Sequence, residues 1–314
     1  MKEITDYDKV FETLVQKTQD YLVRNNLSAM VLGISGGIDS TVVAAICREV
    51  SDRTGIPLIG RSLPTNNNKE GEVTTADLVG KAFCNDYKEV NIQKWYCDSW
   101  SFNEHGSEYN AVADGNIQAR LRMIYLYNLA GIHRGLVMDT DNLTENNLGY
   151  FTIHGDVGDF NPIGGLWKTE VFKLAEWISK ERWKVNMEWL QEENFHSDDS
   201  RNKTGSQAIA IAKSLALKPT AGLGITDSDL DEIGAESYEQ VDSILQEILA
   251  WKWLSLEKRG DTYDSIWDMR NAFLEEQQML DTPIEVIIAV TDRHFKSEFK
   301  RKQLPIKITR EEIV

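Results

Sequence analysis

No stretch of this 314-residue sequence approaches the ~20 consecutive apolar residues that a membrane-spanning helix requires, and an integral helical membrane protein is excluded on that ground. The opening MKEITDYDKVFETL has no basic region followed by an apolar one; it is acidic and amphipathic, so a secretory signal is not expected. Cysteine is scarce, with only Cys47, Cys84 and Cys97 and no CxxC pair. That excludes a disulfide framework and points to reduced thiols in a cytoplasmic protein. The five histidines form no HxxH or HExxH pattern, so zinc is not expected. Basic residues are also in deficit: 34 Lys and Arg stand against 50 Asp and Glu, a formal net charge of −16. A general nucleic-acid binder needs a basic face to release phosphate counterions, and this chain is not expected to have one. The deficit leaves small phosphate ligands open, because these need a few local donors and a cation, whatever the global charge.

The first 180 residues show the rhythm of parallel strands joined by helices. Residues 7–24 are apolar at helical spacing, and residues 29–34 (AMVLGI) form a short apolar run that fits a strand buried on both faces. Helical periodicity over 39–53, a strand at 56–60, a helix over 70–83, a strand at 87–92, a helix over 116–130 and an apolar run at 135–138 follow. This alternation predicts a doubly wound parallel α/β sheet. After about residue 183 the strand signal ends. Residues 192–206 (EENFHSDDSRNKTGS) are polar and turn-rich and read as a mobile loop that orders over bound ligands, with helices at about 206–217, 237–257, 263–280 and 283–296 beyond it. The expected organisation is one domain over 1–314: an α/β core to about 182, the polar loop, and a helical C-terminal portion.

The most informative segment runs from Leu32 to Thr41, LGISGGIDST, where a strand enters a glycine turn and then a helix. Glycines at 36 and 37 let backbone N–H groups approach an anion. Ser35 and Ser40 add hydroxyls, and the positive end of the helix points at the same spot. Gly33, Ile34, Ser35, Gly36, Gly37, Ile38, Asp39 and Ser40 are therefore the candidate phosphate-binding residues. Asp39 makes sense beside a phosphate only if a cation lies between them, and Mg²⁺ is the natural one. The loop lacks the lysine of GxxxxGK[ST] and does not match GxGxxG. Glu145 follows the end of a strand, where ligand residues of open α/β sheets gather, and offers a second hard oxygen for Mg²⁺. Thr140 can donate a hydroxyl to a nucleotide. Lys168 opens a helix, where its charge opposes the helix dipole, so a hold on phosphate explains it better than helix stability does. Arg120 and Arg122 are two apart on a helix and diverge by about 200°, so they cannot share a face.

SGGxDS after a strand resembles the pyrophosphate loop of the N-type ATP pyrophosphatases, a group that includes GMP, argininosuccinate and asparagine synthetases and tRNA-thiolating enzymes. Three further segments narrow the resemblance to the ammonia-dependent NAD synthetases: residues 116–123 (NIQARLRM), 140–152 (TDNLTENNLGYFT) and 155–168 (GDVGDFNPIGGLWK), in the family order. The likeness covers residues 29–182, with echoes at 218–223 (KPTAGL) and at Lys300–Arg301. It implies an adenine nucleotide alpha hydrolase-like fold and amidation of deamido-NAD with ammonia through an acyl-adenylate. ATP is the co-substrate, and AMP and pyrophosphate are released. It further implies Mg²⁺ on Asp39 and Glu145, ATP contacts from Thr140, Lys168 and Thr220, and deamido-NAD contacts from Arg120, Asp159 and Lys300. Departures cluster on the acceptor side: Asp139 stands where the family has Gly, Ile153 where it has a substrate-contacting Lys, and Phe299 where it has the His of a His-Lys pair.

With no nitrilase-type amidase in the sequence, ammonia is expected to be free or supplied by a glutaminase in trans. A homodimer is implied by the resemblance. It is also suggested by the apolar surplus of Ile244, Leu245, Ile248, Leu249, Trp251, Trp253 and Leu254, more than one helix face hides. Another amidating or thiolating ATP pyrophosphatase, and a non-catalytic ATP-binding module, remain as alternatives; pyrophosphate release with a defined acceptor separates them.

Overall fold

Met30–Gly33 (β1) is buried along most of its length, and Leu58–Ser62 (β2) along all of it. Neither strand shows the alternation of a one-sided sheet, because helices cover both faces. The computed structural model describes residues 3–99, 110–182, 203–217, 229–277, 281–301, 306–307 and 309–313. Asp86–Glu89 (β3), Leu136–Met138 (β4), Phe160–Asn161 (β5) and Ile306–Lys307 (β6) complete a six-stranded sheet in the order β3-β2-β1-β4-β5-β6, parallel throughout. β3 is polar and partly exposed, as an edge strand should be.

One face of the sheet is covered by Tyr7–Arg24 (α1), Ile38–Thr54 (α2), Glu70–Phe83 (α3), Lys168–Trp177 (α7) and Lys203–Ala216 (α8). Asp6 caps α1 by accepting from Lys9 N, and Gly55 ends α2 in the left-handed region at φ 76°. α2 is apolar around most of its surface, which is the pattern of a helix enclosed by neighbours rather than laid on a surface. The other face carries Gln93–Ser99 (α4) and Ala111–His133 (α5), with Met123, Leu126 and Ala130 of α5 packed on Val31 and Val137.

Leu143–Leu148 (α6) leads from β4 toward β5. Asp229–Ile233 (α9), Tyr238–Lys252 (α10), Ile266–Glu276 (α11) and Ile284–Lys296 (α12) build a second core, followed by Glu298–Arg301 (α13) and Arg310–Ile313 (α14). Three expectations need correction here. The helical C-terminal portion is not free of strand, since β6 returns to pair with β5. Residues 203–206 open α8 instead of ending a loop; residues 192–202, and the ligand-ordered loop expected there, lie outside the described residues. The apolar surplus of α10 is internal: Ile244, Leu245, Ile248 and Trp251 pack with Phe273, Val286 and Val290 of the neighbouring helices.

The strand order reverses beside β1, which pairs with β2 on one side and with β4 on the other. A crevice opens at such a switch point, beyond the carboxyl ends of the strands. The segments leaving β1 and β4 face each other across it.

Candidate active site

The turn after β1 is set by packing as much as by its glycines. Ile34 N donates to Arg61 O at 2.8 Å, the last rung beside β2. The chain then bends at Gly36, whose φ is +86°. A β-carbon there would lie 2.6 Å from Glu72 O and 2.8 Å from Ala76 N, both backbone atoms of α3, so position 36 admits only glycine. Gly37 starts α2 without a side-chain cap. Ser35 Oγ accepts from Gly37 N at 3.2 Å and lies 3.1 Å from Ser40 Oγ. Two hydroxyls and the uncapped first turn of a 17-residue helix thus meet at one anion-binding point.

Opposite the loop, Lys168 Nζ donates to Asp39 Oδ2 at 2.5 Å and to Glu145 Oε1 at 2.7 Å, with the lysine side chain only 2% exposed. Asn142 closes the figure: its Nδ2 donates to Asp39 Oδ1 at 2.9 Å, and its backbone N donates to Glu145 Oε2 at 3.2 Å. Burial alone would lower the Lys168 pKa, but Asp39 and Glu145 outweigh it and keep the ammonium charged. Burial and the Asp39 charge push the Glu145 carboxyl up to about 7, against the pull of Lys168. Asp242 of α10 supports this triangle from behind. It accepts from Thr144 Oγ1, and from Thr169 N at 3.1 Å and Thr169 Oγ1 at 2.8 Å, while Thr144 Oγ1 accepts from Lys168 N at 2.8 Å. One carboxylate of the helical portion therefore fixes the starts of both α6 and α7.

A second acidic group follows β4. Asp139 accepts from Asp141 N at 2.7 Å and Gly158 N at 3.1 Å, tying the 139–141 segment to the loop before β5. Burial pushes its carboxyl up to about 7. Burial and the Asp139 charge push Asp141 well up, and loss of bulk water pushes Asp156, which lines the cleft, up to about 6. A carboxyl whose folded pKa exceeds its unfolded value of about 3.8 weakens folding as pH rises from that value to the folded one. Comparing pH 5 with pH 7.5, Asp139 should lower stability at the higher pH by about 1–2 kcal/mol, well under the full linkage value because its neighbours titrate with it. Asp139→Asn should flatten that part of the profile, which melting curves of both proteins across the window will check.

These elements line a cleft of about 550 Å³. Its charges nearly balance: Asp39, Glu72, Asp141, Glu145, Asp156 and Glu232 face Arg61, Arg122, Lys168, Arg293 and Lys300. The acidity of the chain is therefore not concentrated in the site. Gly33, Ile34, Ser35, Gly37, Ile38, Asp39, Ser40, Thr140, Lys168 and Lys300 all line the cleft, while Gly36 packs against α3. Arg120 and Asp159 do not line it. Arg120 is exposed on α5 and reaches Ile153 O at 3.4 Å. Asp159 accepts from Tyr127 Oη at 3.0 Å and Val137 N at 2.9 Å. The arginine that enters the cleft is Arg122, bonded to Leu63 O at 2.9 Å and Asn68 Oδ1 at 3.3 Å. Thr220 lies outside the described residues. Asn142, Asp156, Asp242 and Arg293 received no role from the sequence. Asn142 carried a usable signal: an Asn three residues before Glu145, which forms the capping box observed.

The residues fit a magnesium ion. Carboxylate oxygens of Asp39 and Glu145 converge on one point, now held by the Lys168 ammonium, and Mg²⁺ commonly uses one or two carboxylates with phosphate and water completing its shell.

A family model described as NAD synthase matches residues 10–304. The NH(3)-dependent NAD(+) synthetase of Methanococcoides burtonii is 32% identical over 226 residues, covering 71% of this chain and 73% of that one. The NH(3)-dependent NAD(+) synthetase of Methanocaldococcus jannaschii is 29% identical over 311 residues, 97% and 96% of the two chains. Among solved structures, the NMN synthetase from Francisella tularensis is similar at a TM-score of 0.66 and 25% identity, covering 95% of this chain and 97% of that one. With the phosphate loop, the switch-point cleft and the three motif segments all in place, the chain belongs to the NAD synthase family.

Proposed function

We propose that this protein makes NAD by joining ammonia to the nicotinate carboxylate of deamido-NAD, with ATP cleaved to AMP and pyrophosphate. It is a ligase that forms a C–N bond. The observation that carries the reading is the convergence, at one cleft, of the α2 N-terminus, the Ser35 and Ser40 hydroxyls and the Asp39–Lys168–Glu145 triangle. A free carboxylate does not react with ammonia, because its oxygen is a poor leaving group. Attack of that carboxylate on the α-phosphorus of ATP expels pyrophosphate and turns the oxygen into an AMP ester, which ammonia then displaces.

The α2 amides and the two serine hydroxyls receive the charge that builds on the departing pyrophosphate. Lys168 turns from its carboxylates toward phosphate, and Thr140 donates to the nucleotide. Mg²⁺ held by Asp39 and Glu145 supplies Lewis-acid neutralisation of the phosphates. Lys300, Arg120 and Asp159 serve the dinucleotide, and Thr220 the ATP. No side-chain nucleophile is required, so positioning and charge account for the rate. Ammonia comes free from the cytoplasm or from a glutaminase acting in trans. The chain works as one unit, since Asp242 couples the C-terminal helices to the triangle. Among the described residues, no helix is long and apolar enough to cross a membrane.

Incubation with ATP, Mg²⁺, ammonium and deamido-NAD should release AMP and pyrophosphate in step with NAD. Absence of pyrophosphate with any carboxylate acceptor would instead mark an ATP-binding module. A second reading, nicotinate mononucleotide as acceptor, is favoured by the Ile153 and Phe299 departures and by the likeness to an NMN synthetase. The ratio of kcat/KM for the two acceptors decides between them.

We further propose a homodimer built on α5. This helix exposes Val112 (52%), Ile124 (67%), Tyr127 (40%) and Ile132 (66%) while its opposite face packs on the sheet. A helix apolar on both faces is one that something else covers. Arg120, Ile124 and Tyr127 share the exposed face, and Tyr127 bonds Asp159, so a second copy laid here would enclose both acceptor residues that do not line the cleft. Sedimentation should show a dimer at micromolar concentration in low and high salt. Ile124→Glu should give a monomer with weaker binding of deamido-NAD than of ATP. A wild-type monomer in both salts would overturn the dimer.

A further inference from the structure

Two cations reach the cleft from the C-terminal helices, Lys300 of α13 and Arg293 of α12. The family motif accounts for the first and is silent on the second. They flank one short segment. Lys300 Nζ donates to Gly149 O at 2.9 Å and Phe151 O at 2.7 Å, and between these two residues the Arg293 guanidinium sits over the Tyr150 ring, 4.3 Å from its centroid. Burial, with Arg293 close by, holds the Lys300 pKa below its usual value, despite opposing attraction from Asp156 and Asp141. Two positive groups brought together at a cleft wall, neither needed to neutralise the other's partners, leave room for an anion between them.

The surroundings of Arg293 fit that use. Stacking on Tyr150 fixes the plane of the guanidinium and so pre-aims its fork of donors, the geometry that matches phosphate. Its acidic partner is Glu232 of α9, which also accepts from Tyr150 Oη at 3.0 Å. Both side chains of that pair keep about a third of their surface in solvent (30% and 35%), so the pair is a weak strut. A substrate phosphate can take the place of Glu232 at small cost. Meanwhile, the cations that the motif leads one to expect on the acceptor are missing: Ile153 and Phe299 occupy those positions, and Phe299 is 61% exposed and does not line the cleft.

We propose that Arg293 is a specificity-determining contact in this chain, gripping a phosphate of the nicotinate nucleotide together with Lys300. It replaces charge lost at positions 153 and 299, and Glu232 holds it until the acceptor enters. The inference rests on the reading that the site amidates a nicotinate nucleotide.

Initial rates at varied acceptor (deamido-NAD and nicotinate mononucleotide) and varied ATP test it in wild type, Arg293→Gln, Arg293→Lys and Glu232→Gln. Arg293→Gln should raise the acceptor KM about tenfold, the order expected for one lost charge-assisted contact, with the ATP KM within about twofold. Arg293→Lys, which keeps the charge but not the fork, should fall between. Glu232→Gln should leave the acceptor KM unchanged or lower it, since it frees the guanidinium. A merely structural pair predicts that both Gln variants behave alike. An unchanged acceptor KM in Arg293→Gln, a parallel rise in Glu232→Gln, or an equal rise in the ATP KM would each overturn the proposal, and Arg293→Lys applies the first and third of these criteria if Arg293→Gln fails to fold. If wild type turns over no nicotinate nucleotide, the reading of the site itself falls and takes this inference with it.

Discussion

Replacing Asp39 with Asn is expected to leave the fold intact and lower turnover by about a thousandfold, the scale seen when one pre-placed charge or donor is removed from a phosphate or oxyanion site. The fold survives because α2 is held by buried apolar side chains, Ile38, Val42, Val43, Ile46 and Val50 among them, on both sides of its axis. Turnover falls because Asn matches Asp in shape and not in charge. Oδ2 of Asp39 accepts from Lys168 and Oδ1 from Asn142. An amide presents N–H₂ to one of those donors, so a bond becomes a repulsion and the cation at the phosphates is held by one carboxylate instead of two. Melting curves and AMP release across a Mg²⁺ titration check both halves. Near-normal turnover with ordinary Mg²⁺ dependence would remove Asp39 from the site.

Lys168→Met has the second large effect, and it acts on stability as well as rate. The ammonium is buried between two carboxylates. Removing one partner of a buried ion pair costs about 3–5 kcal/mol, because the remaining charge is left without compensation. Here the cost should be at the low end of that range, since Glu145, already pushed up to about 7, can take up a proton. A fall in melting temperature of about 5–10 °C follows from that scale for a chain of this size. Turnover should drop at least about a hundredfold, because the lysine that turns to the phosphates is gone. Mg²⁺ should then raise the melting temperature of the variant more than that of wild type, since Asp39 and Glu145 no longer have an internal counter-ion. Unchanged melting and unchanged turnover would contradict the role given to Lys168.

The parts of this molecule that could be read from sequence are those specified by local chemistry. The β1–loop–α2 unit is legible because Gly36 is demanded by φ and by the closeness of α3, and because strand and helix periodicities meet at the turn. Glu145 and Lys168 are legible because each sits at a helix start after a recognisable segment. What escaped depends on non-local packing. β6 is two residues long and pairs only with β5, so no local pattern announces it. Asp139 stands out as a departure, but nothing in its neighbours reveals that it accepts from the backbone of 141 and 158. The surplus of apolar residues on α10 looked like a subunit interface because sequence cannot tell which helices pack together; α11 and α12 absorb it. Arg122 is a different case. Met123, Leu126 and Ala130 mark the inward face of α5, and Arg122, four residues before Leu126, lies beside that face while Arg120 points out. Helical phase carried that distinction, and the motif drew attention to the other arginine.

The account makes adenylation of a carboxylate its central claim, and isotope transfer tests that claim most directly. Deamido-NAD with ¹⁸O in both oxygens of the nicotinate carboxylate is incubated with ATP, Mg²⁺ and ammonium, and the phosphate products are examined by mass spectrometry. Attack of the carboxylate on the α-phosphorus, followed by displacement with ammonia, places one ¹⁸O atom in AMP and leaves the other in the amide of NAD. Unlabelled AMP, or label recovered in inorganic phosphate together with ADP, would contradict it.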